Sequence, residues 1–63
     1  MIKLFIDVEY DEYYVALGDA YMLLEDWQGD GGPVLPLKDF INEDGVSTLH
    51  FVSEYTRAQL AAM

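Results

Sequence analysis

A chain of 63 residues without a single cysteine must hold its fold together by apolar packing alone. A domain this small buries only about 60% of the surface its unfolded chain exposes, so its core is small and its stability marginal. Disulfides and a cysteine-based zinc site are both excluded, and one histidine excludes a His-rich metal site. The length leaves room for one domain, residues 1–63. Apolar residues make up 52% and aromatics 14%, far above the composition of a disordered chain.

Against this apolar content stands a net charge of -9, from twelve Asp and Glu against three Lys and Arg. Self-repulsion at that charge costs stability, and direct binding to nucleic-acid phosphate is opposed. Met1 to Val8 is too short, and with Lys3 and Asp7 too charged, for a secretory leader. No run approaches the roughly 18 apolar residues of a membrane span. An anionic leaflet would repel the chain. A soluble, cytoplasmic protein with no membrane association is expected.

Ile2, Leu4, Ile6 and Val8 alternate with Lys3, Phe5, Asp7 and Glu9, which predicts a strand. Phe5 on the second side implies that this side is partly covered too. Residues 12–27 support two readings. On a helical wheel, Tyr14, Leu17, Tyr21 and Leu24 share one face and Glu12, Asp19 and Asp26 another, and Gly29 follows as a C-cap; this favours a helix. The competing reading is a hairpin, Tyr13–Leu17 and Ala20–Asp26 about a Gly18-Asp19 turn. A glycine in mid-helix, costing about 1 kcal/mol, keeps it open. Gln28 to Pro36 reads as a loop, Pro36–Ile41 as a short helix, and Asn42–Gly45 as a turn. Val46–Val52 alternates as a second strand. A last helix begins near Ser53, with a capping box also available to Thr56 and Gln59. The sum is a small single α+β domain, an antiparallel sheet with one or two helices packed on one face.

Catalysis finds little support. Ser47 and Ser53 lie near His50 in sequence, but no nucleophile elbow or oxyanion turn accompanies them. Asp7 and Glu9 stand about 7 Å apart on one strand face, yet a glycosidase also needs a cleft that so short a chain rarely builds. Neither Asp26–Gly31 nor Asn42–Gly45 fits a calcium loop. Gly29-Asp30-Gly31-Gly32 lacks the lysine of a phosphate loop. No enzyme activity, cofactor or metal is expected.

The acids themselves carry the informative pattern. Asp7, Glu9, Asp11 and Glu12 crowd one stretch, Glu25, Asp26 and Asp30 a second, and Asp39, Glu43 and Asp44 a third. A solubilising surface is the plain explanation. The functional one is charge mimicry: carboxylates placed along a face can occupy a basic groove built for DNA phosphates. Exposed aromatics would then add specificity, and Tyr10, Tyr13 and Tyr14 cannot all point inward.

Met22-Leu23-Leu24-Glu25-Asp26 and Leu35-Pro36-Leu37-Lys38-Asp39-Phe40 are similar to two segments of a very small family of phage-encoded DNA mimics. These are protein inhibitors of uracil-DNA glycosylase. The resemblance implies an acidic edge strand that tracks the phosphate path, with Asp7, Glu9, Asp11, Glu12, Glu25 and Asp26 as phosphate mimics. It also implies a pocket between helix and sheet, with Met22, Leu24, Trp27 and Phe40 as candidates, that accepts an apolar residue of the enzyme. The expected partner is a basic DNA-binding enzyme, first of all uracil-DNA glycosylase, in the host cytoplasm. The alternative is a non-enzymatic interaction module, such as an antitoxin, anti-CRISPR or small subunit, docking through apolar surface and its C-terminal helix. The oligomeric state stays open, since an exposed sheet edge permits a dimer.

Overall fold

Alternation builds the first strand. Ile2, Leu4 and Ile6 point to one side and Lys3, Phe5 and Asp7 to the other along β1 (Ile2–Asp7). A computed structural model describes all residues, Met1–Met63. After β1 come β2 (Glu12–Leu17), β3 (Ala20–Leu23), α1 (Leu24–Gln28), β4 (Leu35–Pro36), a 3₁₀ turn (Leu37–Phe40), β5 (Leu49–Tyr55) and α2 (Arg57–Ala61). The strands form one antiparallel sheet in the order β4-β3-β2-β1-β5.

Residues 12–23 form a hairpin, not the helix that the wheel favours. Leu17 pairs with Ala20 around Gly18-Asp19. Gly18 has φ +67, and Asp19 is not in the left-handed region, which is the pattern of a type II′ turn. The helical wheel misleads because both faces of β2 and β3 are apolar. A strand covered on both sides loses its period-two signal. Tyr14, Ala16, Tyr21 and Leu23 face one way, while Val15, Leu17, Ala20 and Met22 face the other. The helix that does form is short. It begins at Leu24, and Gly29 closes it by donating to the carbonyls of Glu25 and Asp26.

Each face of the sheet carries its own small core. On one, Leu4, Val15 and Leu60 are buried, with Ile2, Leu24, Trp27 and Tyr55 packed against them. Both helices cover this face. The Gln28 side-chain amide donates to the carbonyls of Leu60 at 2.7 Å and Met63 at 3.0 Å, so α1 is tied to the last turn of α2 and to the residue beyond it. Arg57 lies 5.6 Å above the Trp27 ring, a second tie between the helices. On the other face, Phe5 meets Tyr21 and Phe51 edge-on, and Phe40 meets Tyr14 and Tyr21. The 3₁₀ turn delivers Phe40 into this aromatic layer. The Thr48 N–H, at 2.7 Å, and the Thr48 hydroxyl, at 3.2 Å, both donate to the Phe40 carbonyl and hold it there.

The last strand lies three residues beyond the Val46–Val52 expected from alternation. Val46–Thr48 is engaged elsewhere: Asn42 N–H donates to Val46, Ile41 bridges Ser47, and Thr48 holds Phe40. Pairing with β1 then runs to Tyr55, with a register shift opposite Leu4 and Phe5. Ser53 therefore lies within the strand. Thr56 is the N-cap of α2, accepting from Gln59 N–H at 3.1 Å while the Gln59 side chain accepts from Thr56 N–H at 2.8 Å.

Leu60 is fully buried in a chain with very few buried apolar residues. Leu60→Ala should remove about 3 kcal/mol, a large share of the roughly 3–9 kcal/mol expected for this length. Urea unfolding followed by circular dichroism should show the midpoint collapse. Thr56→Ala should cost only about 1 kcal/mol.

Candidate functional site

An antiparallel sheet has two ends, and the connections sort the charges between them. The end of β1, the start of β2, the end of β3 and the start of β5 lie together. Asp7, Glu9, Asp11 and Glu12 belong to the β1–β2 hairpin at this end. Glu25 and Asp26 fall in the first turn of α1, immediately after β3. Glu43 and Asp44 precede β5. Thus eight of the twelve acids in the chain gather at one pole. Lys3 lies one residue from the other end of β1, and Arg57 follows the far end of β5. Lys38 comes just after β4, whose Pro36 stands opposite Ala20 next to the β2–β3 turn.

Within the pole, the acids are not equivalent. Asp7 is turned inward, 4% exposed, and its Oδ1 accepts from Glu9 N–H at 3.0 Å. It shapes the hairpin turn and presents no charge that a partner can reach, which corrects its expected place among the phosphate mimics. Asp11 adopts φ +59, a left-handed conformation that aspartate tolerates better than most residues. That turn leaves Tyr10 68% exposed at the hairpin tip between Glu9 and Asp11. Of the clustered tyrosines, then, Tyr14 is buried while Tyr10 and Tyr13 are exposed. Glu9 and Glu25 are exposed, and Glu12 and Asp26 half-buried. The Asp26 carboxylate lies against Gly32, where any side chain would overlap it. That contact explains one glycine of the acidic loop without a bound ligand.

Glu43 and Asp44 join the site through tertiary structure. With Glu9, Ile41 and Asn42 they line one shallow concavity. Val8, Ile41 and Val46 are exposed apolar residues of the same end. Sequence reasoning groups Glu43 and Asp44 as an acidic cluster but does not link them to Glu9. Only the pairing of β1 with β5 brings them together. The carboxylates are spread out, and no three are arranged to hold a metal ion.

The expected edge strand and pocket both change. β1 lies between β2 and β5, so the acids do not run along a sheet edge but cap the sheet's end. Phe40, 4% exposed, packs on the aromatic face, away from Met22, Leu24 and Trp27 on the helical face. The apolar concavity that does exist holds about 330 Å³ and is lined by Leu4, Tyr13, Leu24, Val52, Tyr55 and Met63. Leu24 is the one expected member. Tyr13 and Leu24 also border a smaller hollow of about 140 Å³ with Asp11, Glu12, Glu25 and Leu23. An apolar recess thus adjoins the acidic pole. His50 is exposed on β5, while the Ser47 hydroxyl accepts from Leu49 N–H. No helix is long and apolar enough to cross a membrane.

No family model matches the chain, and no curated protein or solved structure matches it either.

The field of the pole is felt inside the protein. Burial raises the Tyr14 phenol above its usual value, and the carboxylates of Glu12, Asp7 and Asp26 push it further the same way. The neutral phenol is therefore favoured by folding. This contribution to stability is fully present below the unfolded tyrosine pKa of about 10 and is lost as pH rises through the higher folded value. Titration by ultraviolet absorbance should show a late step for Tyr14, and Tyr14→Phe should remove that step. A high-pH part of the curve that Tyr14→Phe leaves unchanged would contradict the assignment.

Proposed function

We propose that this chain is a DNA-mimicking protein inhibitor that occupies the basic DNA-binding groove of a DNA-processing enzyme, with uracil-DNA glycosylase as the first target. It works by occupation and performs no chemistry. One observation carries the reading: the topology gathers carboxylates at one pole and interleaves them with exposed Val8, Tyr10, Ile41 and Val46. A purely solubilising surface has no need of apolar groups among its charges. A protein partner with a basic groove does: the charges steer the encounter and the apolar and aromatic groups fix the register.

In this reading Glu9, Asp11, Glu12, Glu25, Glu43 and Asp44 take the places of phosphates. Each carboxylate that meets a lysine or arginine replaces a counterion of the groove. Tyr10 is an anchor at the hairpin tip. The apolar recess between Tyr13, Leu24 and Met63 receives an aliphatic side chain of the enzyme. The second reading, docking through apolar surface alone, draws on that same recess. Its other support, an apolar C-terminal helix, is weakened because Leu60 is buried in the chain's own core.

The test is titration into a uracil-DNA glycosylase assay on a uracil-containing oligonucleotide. Inhibition should saturate at one inhibitor per enzyme and weaken roughly tenfold as salt rises through the physiological range. Glu9→Lys, Glu43→Lys and Asp44→Lys should each cost roughly tenfold, mainly in association rate. Asp11→Asn, which tolerates the same backbone, should cost less than these. Inhibition that survives the triple reversal, or that ignores salt, would overturn mimicry in favour of apolar docking.

A further inference from the structure

Two hollows of opposite character share a wall on the helical face of the sheet. β2 opens with Glu12 and Tyr13, and period-two alternation sets Tyr13 on the side of buried Val15. β3 passes directly into α1, which brings Leu24 and Glu25 beside it. Tyr13 and Leu24 line both hollows. To one side of them lies the recess of about 330 Å³, whose lining is apolar or aromatic throughout and includes buried Leu4. To the other lies the hollow of about 140 Å³, to which Asp11, Glu12 and Glu25 contribute.

A ligand that fits both must carry positive charge one short step from an apolar body. No lysine or arginine lines either hollow, and Arg57 is engaged over Trp27. The carboxylates beside the recess therefore have no cation of the chain's own among them. An anion would be repelled there. A neutral hydrocarbon would leave the acids unanswered, and a polycation without an apolar group would leave the recess unfilled. The recess lies at the low end of the roughly 300–1,000 Å³ typical of small-molecule sites. That size suits an alkyl chain or a single aromatic ring.

We infer that the joined hollows bind a small amphiphilic monocation, an alkyl- or arylalkyl-ammonium. Its tail occupies the recess, and its ammonium sits among Asp11, Glu12 and Glu25. The ammonium N–H groups gain charged acceptors, and the neighbouring Tyr13 ring adds a cation–π contact. The tail gains by leaving water. The site uses the recess of the inhibitor reading but does not rest on that reading.

The probe is octylammonium at neutral pH, where an alkyl ammonium keeps its proton. It is titrated into the full chain while backbone amide shifts are followed by NMR. Binding should saturate at one per chain, with dissociation on the order of 1 mM. The largest shifts should fall at Tyr13, Leu24, Glu25 and Val52. 1-Octanol, with the same tail and no charge, should bind about tenfold more weakly, and octanoate should not bind. Glu12→Gln with Glu25→Gln should lower octylammonium affinity about tenfold, as the loss of two exposed ion pairs implies, and leave octanol unaffected. Val52→Gln, at an exposed position in the recess lining, should weaken both. Glu43→Gln with Asp44→Gln removes as much charge from the same pole, outside both hollows, and should change neither. Octanol binding as tightly as octylammonium would leave a purely apolar occupant and overturn the site. Equal losses from the Glu12–Glu25 and Glu43–Asp44 pairs would overturn it too, since octylammonium would then be a counterion of the whole pole. No enzyme enters these readouts, so the site and the inhibitor reading fail separately.

Discussion

Leu60 closing over Leu4 and Val15 is the contact on which the rest depends. It is the point where the end of the chain meets the middle of the sheet. Remove it and α2 has no buried residue left. Gln28 then loses the carbonyls it bonds, and α1 loses its neighbour. The opposite face depends on Phe40 in the same way, through Tyr14 and Tyr21. Two thin cores, one on each side of a single sheet, are what a short chain can assemble without covalent staples. Each is held by one residue delivered from a short helical segment.

Such thin cores leave little stability to set against electrostatic repulsion. The topology nonetheless concentrates acids at one end of the sheet. Placing like charges together costs free energy in the isolated protein, and a basic partner would relieve that cost. That relief is what the proposed inhibitor would draw on when it meets a basic groove. Tyr14 is held neutral first by its burial and then by the carboxylates of Glu12, Asp7 and Asp26.

Much of this could be read from the residues, and the failures have clear causes. The alternation in Ile2–Asp7 marks β1 because only one of its faces is strongly apolar. The Thr56–Gln59 capping box is legible because it is local. The β2–β3 hairpin is obscured because Tyr14, Val15, Tyr21 and Met22 serve two opposite cores at once, and their spacing also fits a helix. β5 is displaced because Thr48 is recruited to hold Phe40, a contact eight residues away that no periodicity reveals. Among the site residues, Glu9, Asp11, Glu12 and Glu25 were visible as clustered charge. Asp7 was not separable from them, since its inward turn depends on one bond to Glu9 N–H. Glu43 and Asp44 joined them only through β1–β5 pairing, and Phe40 left the expected pocket because the sheet has two covered faces.

In the proposed function, the acidic pole and a DNA duplex compete for one groove. The most direct test is the fluorescence anisotropy of a labelled duplex bound to uracil-DNA glycosylase while this protein is added. Competition predicts that the anisotropy falls to that of free DNA as the protein reaches one equivalent of enzyme. A bound protein that leaves the anisotropy unchanged or higher, with DNA retained in a ternary complex, would contradict it.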